Sequence, residues 1–295
     1  MATIKAGTDF PTELVTEMFD AVVGHSALAK LSDEKPMPFG GVTEFVFSAT
    51  SEAQLVGEGD PKAPSEAAVD PVVIKPVKFV FQQRVSDEFV YCGDEKRLRY
   101  LEAFAEGFSR KIARGFDIAG MHGLEPSTMT TAASLASNNF DGLVSNVVTL
   151  GTGTTIADDM TAAIALLNGA DCNGIAFSPT AGTALAAISE NGVSQYPEFR
   201  FGQNPDAFYG MKSDVNSTVL AAKAGDDPDA VILGDFQNAF KWGYVENIPL
   251  EVIKYGDPDG SGHDLRRYNE VCLRAEAFIG WGILNPDAFA IVREA

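Results

Sequence analysis

The sequence predicts an α+β fold: one long amphipathic helix, a strand-forming ribbon, and a region in which helices alternate with short strands. Three observations predict it. Apolar residues recur with a 3.6-residue period over 94–120. Two runs rich in β-branched and aromatic residues, 42–47 and 72–81, read as strands. Beyond residue 155, helix-start signals are followed by short apolar runs of strand type.

The chain opens with a short arm. Phe10-Pro11 precedes a helical pattern with Leu14, Val15, Met18, Phe19 and Val22 on one side. Gly24 can end that helix, and Pro36 and Pro38 bar its continuation. Such an arm cannot form a core alone and must lie against something else. In the run 72–81, Pro76 has no N–H to give to a ladder and indicates an edge position or a bulge. Between the two runs lie more than twenty residues holding Gly57, Gly59, Pro61, Pro64 and Pro71, too many for an ordinary hairpin turn. Two-stranded ribbons are marginally stable alone in water. The ribbon therefore calls for a second subunit to cover it.

In the helix, Leu98, Leu101, Phe104, Ala105, Phe108, Ile112, Phe116 and Ala119 share one stripe. Glu102, Glu106, Arg110, Arg114 and Asp117 are expected off it, with Glu106 and Arg110 as an i,i+4 pair. About 27 residues at 1.5 Å each give a rod of roughly 40 Å, a spine. Residues 127–139 read as loop. Thr155 with Asp158 forms a capping box ahead of a helix stopped by Asn168-Gly169. Ile175-Ala176-Phe177 is a strand, and Ser178-Pro179 starts a helix expected to end near Asn191-Gly192. Val231-Ile232-Leu233 is a buried strand, 225–229 a turn, and 250–255 another strand. Val271, Leu273, Ala275, Ala277 and Ile279 alternate with Cys272, Arg274 and Glu276, the pattern of a half-exposed strand.

Composition narrows the function. Of 295 residues, 45% are hydrophobic and 21% charged, enough to bury a sizeable core. No apolar run has the length of a membrane span, and no secretory signal opens the sequence, so a cytoplasmic origin is expected. The net charge of −19 disfavours an electrostatic grip on nucleic acid. It also makes self-association work against repulsion, hence sensitive to salt or divalent ions. Cys92, Cys172 and Cys272 form no CxxC pair, so reduced thiols are expected. No phosphate-binding, zinc-protease or serine-hydrolase motif is present. Gly151-Thr152-Gly153 reads as a turn, and His25, His122 and His263 as packing residues. Asp257-Pro258-Asp259-Gly260-Ser261-Gly262-His263-Asp264 reads as a solvated acidic loop rather than a calcium loop. Glu58 and Asp60 read as partners in an interface salt bridge, to Lys62 or a neighbour's arginine, rather than an acid/base pair. No catalytic, cofactor-binding or metal-binding residue is expected. A small α/β enzyme is the rival from another class, and the scarcity of histidine counts against it.

These elements, in this order, resemble the major capsid protein of tailed bacteriophages, the Hong Kong 97-like fold, over nearly the whole chain. Leu55-Val56-Gly57-Glu58-Gly59-Asp60-Pro61-Lys62 resembles that family's extended-loop tip. Residues 72–88, ending Val85-Ser86-Asp87-Glu88, resemble its returning strand, and Ile112-Ala113-Arg114-Gly115-Phe116-Asp117 its spine helix. Asp206-Ala207-Phe208-Tyr209-Gly210-Met211 resembles the family's G-x-P-V segment, with Met-Lys in place of Pro-Val, while Leu233-Gly234-Asp235-Phe236 is similar to its GDF and 278–289 to its C-terminal signature. The resemblance implies an N-terminal arm (1–38), an extended loop (39–84), a peripheral domain with the spine (85–144 and 263–295) and an axial domain (145–262). It implies pentamers and hexamers forming the icosahedral head of a double-stranded DNA phage, with arm and loop reaching neighbouring subunits. Inter-subunit contacts are expected at Leu55, Val56, Glu58, Asp60, Lys62, Arg110 and Arg114. Implied partners are copies of itself, portal, scaffolding or maturation protease, decoration proteins, and packaged DNA held without sequence reading; no membrane is implied. Scaffolding is expected as a separate protein or a removed segment. Lys62 and Lys75 lie near the region of the family's isopeptide crosslink, but no acceptor motif is present and the crosslink is not carried over. The implied location is the virion, after assembly in the host cytoplasm. An encapsulin-like cellular compartment is the alternative.

Overall fold

Local sequence rules set most element boundaries in the computed structural model, which describes residues 24–49, 53, 55–58, 62, 67–88, 94–151, 153–245 and 251–294. The arm helix expected over 14–22 lies outside the described residues, as does Asp60. In chain order, α1 (Ala27–Leu31) precedes β1 (Val42–Ala49), β2 (Ala67–Ile74), β3 (Val77–Ser86), α2 (Asp94–His122), a hairpin of β4 (Leu124–Glu125) and β5 (Thr130–Thr131), α3 (Phe140–Leu143) and β6 (Val147–Thr149). Then come α4 (Ile156–Leu166), β7 (Gly174–Phe177), α5 (Pro179–Ala187), a hairpin of β8 (Ser189–Glu190) and β9 (Val193–Ser194), β10 (Ala207–Phe208), β11 (Met211–Val215) and β12 (Asp229–Gly234). The chain ends with β13 (Phe240–Tyr244), β14 (Glu251–Ile253), α6 (Leu265–Tyr268), β15 (Glu270–Ile283) and β16 (Phe289–Arg293).

Two larger sheets organise these elements. In the first, β15 pairs with β3 on one side and with β13 and β14 on the other, all antiparallel. The spine α2 lies against it. Phe81 of β3 makes tilted ring contacts with Phe104 and Phe108, and Phe116 meets Trp242 and Trp281 with ring centres 5.4 and 5.5 Å apart. The second sheet has the order β10-β11-β7-β12-β16-β6. Every residue of β7 and β12 is buried, which explains their unbroken apolar runs. Ile156, Met160 and Ala163 of α4 and Ala181 and Leu185 of α5 close its core. The Thr155–Asp158 capping box forms as the spacing predicts.

Three expectations are corrected. The run 72–81 is not one strand: it breaks at Lys75-Pro76, so that β2 pairs with β1 while β3 joins β15. Proline cannot donate to either ladder, which makes it the natural place to change sheets. Asn191-Gly192 is not a helix end but the turn of the β8–β9 hairpin, with φ of 51° and 81°; α5 stops at Ala187. An Asn-Gly pair with both residues left-handed is a strong hairpin turn. Strands from the segments 145–262 and 263–295 share both larger sheets. β13 and β14 pair with β15, and β16 sits between β12 and β6. The turn at Pro286–Ala288 redirects the chain, and Phe289, Ala290, Ile291 and Val292 are all buried, as a central strand requires. The described part of the arm folds onto its own subunit. Leu28 and Leu31 are fully buried, and the Lys35 and Met37 N–H groups donate to the carbonyls of Trp242 and Tyr244. Finally, Asp117 is fully buried rather than off the stripe.

Candidate assembly surface

The ribbon of β1 and β2 pairs Phe45 with Pro71, Phe47 with Val69 and Thr43 with Val73 across the ladder. Alternation puts those residues on one face. Within the chain that face is uncovered: Phe45 is 70% exposed, Phe47 68%, Val69 58% and Val73 56%. The opposite face, with Val46, Val72 and Ile74, is progressively covered toward the base, where Ile74 is buried. There Gly282 of β15 leaves room for it; a Cβ on Gly282 would stand 2.7 Å from an Ile74 side-chain carbon. Glu44 adds an ion pair to Lys241 of β13 at 2.8 Å. The ribbon is thus anchored at one end and presents an apolar face for the rest of its length. Burying either phenylalanine is worth about 1.5–3 kcal/mol, so an apolar surface of this kind marks an association site.

The expected contact residues fall at two places. Leu55 is fully exposed, and Val56, Glu58 and Lys62 are exposed in the loop between β1 and β2. Arg110 and Arg114 lie on the outer side of α2, where Arg110 pairs with Glu106 at 2.6 Å and both side chains are well exposed. Among the described residues no hydrogen bond or ion pair joins Glu58 or Lys62 to either arginine. Arg114 also lines a cleft of about 380 Å³ between α2 and β3, floored by Phe79, Phe81 and Ile112.

Two polar clasps, one buried and one at the surface, were missed by sequence reasoning. From Gly115 to His122 every residue of α2 is buried, so the spine has no outer face there. Asp117 accepts from Ser26 Oγ at 2.5 Å, from the Ala27 and Leu28 N–H groups at 2.9 and 3.2 Å, and from Thr218 Oγ1 at 2.9 Å. One carboxylate therefore satisfies two of the free N–H groups that open α1, and Ser26 Oγ takes a third, that of Ala29. Burial raises the Asp117 carboxyl to about 6, while those four hydrogen bonds pull the other way. The signal available in the sequence was its position between Phe116 and Gly120, beside the apolar stripe.

The second clasp is the 257–264 loop, exposed along its length apart from half-buried Pro258, as a solvated acidic loop should be. It wraps Arg84 of β3. The Arg84 guanidinium donates to Asp257 Oδ1 and Ser261 Oγ at 2.7 Å, to both Asp259 oxygens, to the His263 carbonyl at 2.9 Å and to Glu270 at 3.1 Å. The bonds from Arg84 hold the Asp259 carboxyl well below the usual carboxylate range. A fixed guanidinium takes the place that the sequence pattern offered to a cation.

A family model described as the phage capsid family matches residues 7–293. A solved structure from Mycobacterium phage Ogopogo is 31% identical, with 99% of this chain and 94% of that chain covered and a TM-score of 0.76. One from Gordonia phage Cozz is 28% identical, covering 92% and 87%, with a TM-score of 0.74. A capsid of an empty GTA particle computed with C5 symmetry is 13% identical over 92% and 90%, with a TM-score of 0.64, and so shares the fold. No curated protein matches in sequence.

Proposed function

This chain belongs to the phage capsid family and is a capsid protein of a phage head; from that premise we propose how its copies assemble. They form pentamers and hexamers of an icosahedral shell, with the β1–β2 ribbon of one subunit lying on the next. The single observation that carries this reading is the face bearing Phe45, Phe47, Val69 and Val73, apolar and uncovered within the chain. In this reading the six-stranded sheet with α4 and α5 lies toward the local symmetry axis, and the spine with the four-stranded sheet lies at the periphery. The loop residues Leu55, Val56, Glu58, Asp60 and Lys62, with Arg110 and Arg114, complete the contacts. The role is containment, with no reaction of its own. Portal, scaffolding or maturation protease and decoration proteins are its further partners, and double-stranded DNA is enclosed without base reading, as the net charge of −19 suits. Assembly takes place in the host cytoplasm. The encapsulin alternative is not favoured, because the matches are to phage and GTA structures. Electron microscopy of the purified full chain under assembly conditions is expected to show shells or ring-shaped capsomers. A persistent monodisperse monomer would overturn the proposal.

A further inference from the structure

The last turn of the spine, the start of α3 and the outer ends of β12 and β16 meet at one place, bringing together His122, Asp141, Asp229 and Arg293. The side chains of His122 and Asp229 are 2% and 1% exposed. His122 Nε2 lies 3.0 Å from the Thr218 carbonyl oxygen, which can only accept, so Nε2 carries a hydrogen. Nδ1 therefore faces the carboxylates, 2.8 Å from Asp141 Oδ2 and 3.7 Å from Asp229 Oδ2. Arg293 holds the other oxygen of each: Nε donates to Asp229 Oδ1 and Nη2 to Asp141 Oδ1, both at 2.7 Å. The guanidinium thus orients two carboxylates so that their remaining oxygens converge on one imidazole nitrogen. Asp229 Oδ2 is buried there and accepts from no N–H or hydroxyl donor of the described residues; its nearest polar neighbour besides His122 is the Asp141 carboxyl. Such an atom needs an explanation, since buried polar groups are ordinarily satisfied.

A proton on Nδ1 serves Asp141 but stands too far from Asp229. An ion between the three atoms serves all of them. Nδ1 and the two Oδ2 atoms lie within 4.8 Å of one another. In a tetrahedral site with bonds of about 2.1 Å, ligand atoms sit roughly 3.4 Å apart. The 2.8 and 3.7 Å separations from Nδ1 bracket that value. A cleft of about 410 Å³ adjoins the cluster, with Asp226, Asp227 and Lys223 in its lining, and it gives an ion and a water a way in.

We propose that His122 Nδ1, Asp141 Oδ2 and Asp229 Oδ2 bind a divalent transition-metal ion of zinc type, with water from the cleft as fourth ligand and Arg293 positioning both carboxylates. One imidazole with only two carboxylates suits zinc-like ions better than calcium or magnesium, which take six or more oxygens. Arg293 has the outer-shell role that commonly fixes metal-bound carboxylates. The ion ties the end of the spine to β12 and β16, across the junction of the two sheets. It is independent of the assembly reading, because it belongs to the single chain.

The test uses the full chain as free subunits, stripped with a chelator and titrated with Co²⁺ and then Zn²⁺. One equivalent of Co²⁺ is expected to give the visible absorption of a low-coordinate site, Zn²⁺ to displace it, and either ion to raise the melting temperature. Asp229→Asn should weaken that equivalent at least tenfold, whereas Asp257→Asn in the acidic loop should leave it unchanged. Should Asp229→Asn fail to fold, histidine-selective ¹⁵N labelling of the unmutated chain decides: Zn²⁺ must shift the Nδ1 signal of His122 and spare His25 and His263. Absence of a bound equivalent, a Co²⁺ spectrum indifferent to Asp229→Asn, or a shift at another histidine would each overturn the proposal.

Discussion

At the scale of single residues, Asp117 decides whether the start of the described chain stays on the spine. Its carboxylate is the acceptor for two backbone N–H groups and two hydroxyls, all buried. Asp117→Ala strands those donors and should cost about 3 kcal/mol, read from urea unfolding. The pH dependence has a definite sign. Burial raises the folded-state value to about 6, above the ordinary 3.8. Folding therefore takes up a proton in that window, and this group's contribution is fully present below about pH 3.8 and is lost as pH rises through about 6. The stability gap between the unmutated chain and Asp117→Ala should accordingly be wider at about pH 5 than at about pH 7. This residue was hard to read from sequence because a helical wheel assigns an aspartate to solvent. Only contacts with α1 and Thr218, some ninety and a hundred residues away, reverse that assignment. Arg84 was illegible for the same reason: its partners at 257–263, two of them aspartates, look self-sufficient as a turn.

At the scale of elements, local rules succeeded where the causes are local. The spine's stripe, the Thr155–Asp158 cap and the alternation of β15 all follow from periodicity or capping within one segment. They failed where pairing partners decide. Nothing within 289–293 says that this strand enters the six-stranded sheet, and Pro76 could be read as a bulge until β3 was seen on β15. Close approach is also settled at this level. A Cβ on Gly243 of β13 would stand 1.8 Å from the Lys35 carbonyl oxygen. Gly243→Ala should therefore push the segment at 34–37 off the edge of β13, costing about 1–3 kcal/mol in thermal melts. Limited proteolysis should then find a new cut near Lys35.

At the scale of the whole molecule, the net charge of −19 opposes the approach of copies that the ribbon's apolar face favours. Repulsion between exposed charges is screened over roughly 10 Å at 0.1 M salt. Raising ionic strength from low values should therefore speed assembly, measured by light scattering, while leaving the melting temperature of the free subunit nearly unchanged. That the ribbon would lack cover from its own chain was legible in the sequence, because a two-stranded ribbon with so long a connection is marginal alone. Which residues form its bare face became clear only with the register that sets Phe45 and Phe47 beside Pro71 and Val69.

The most direct measurement is sedimentation velocity of Phe45→Asp/Phe47→Asp beside the unmutated chain under assembly conditions. Both side chains are exposed in the subunit, so the variant should melt within about 0.5 kcal/mol of the original. It should nevertheless remain as free subunits while the original forms shells. A variant that assembles as completely as the original would contradict the claim that a neighbouring copy covers this face.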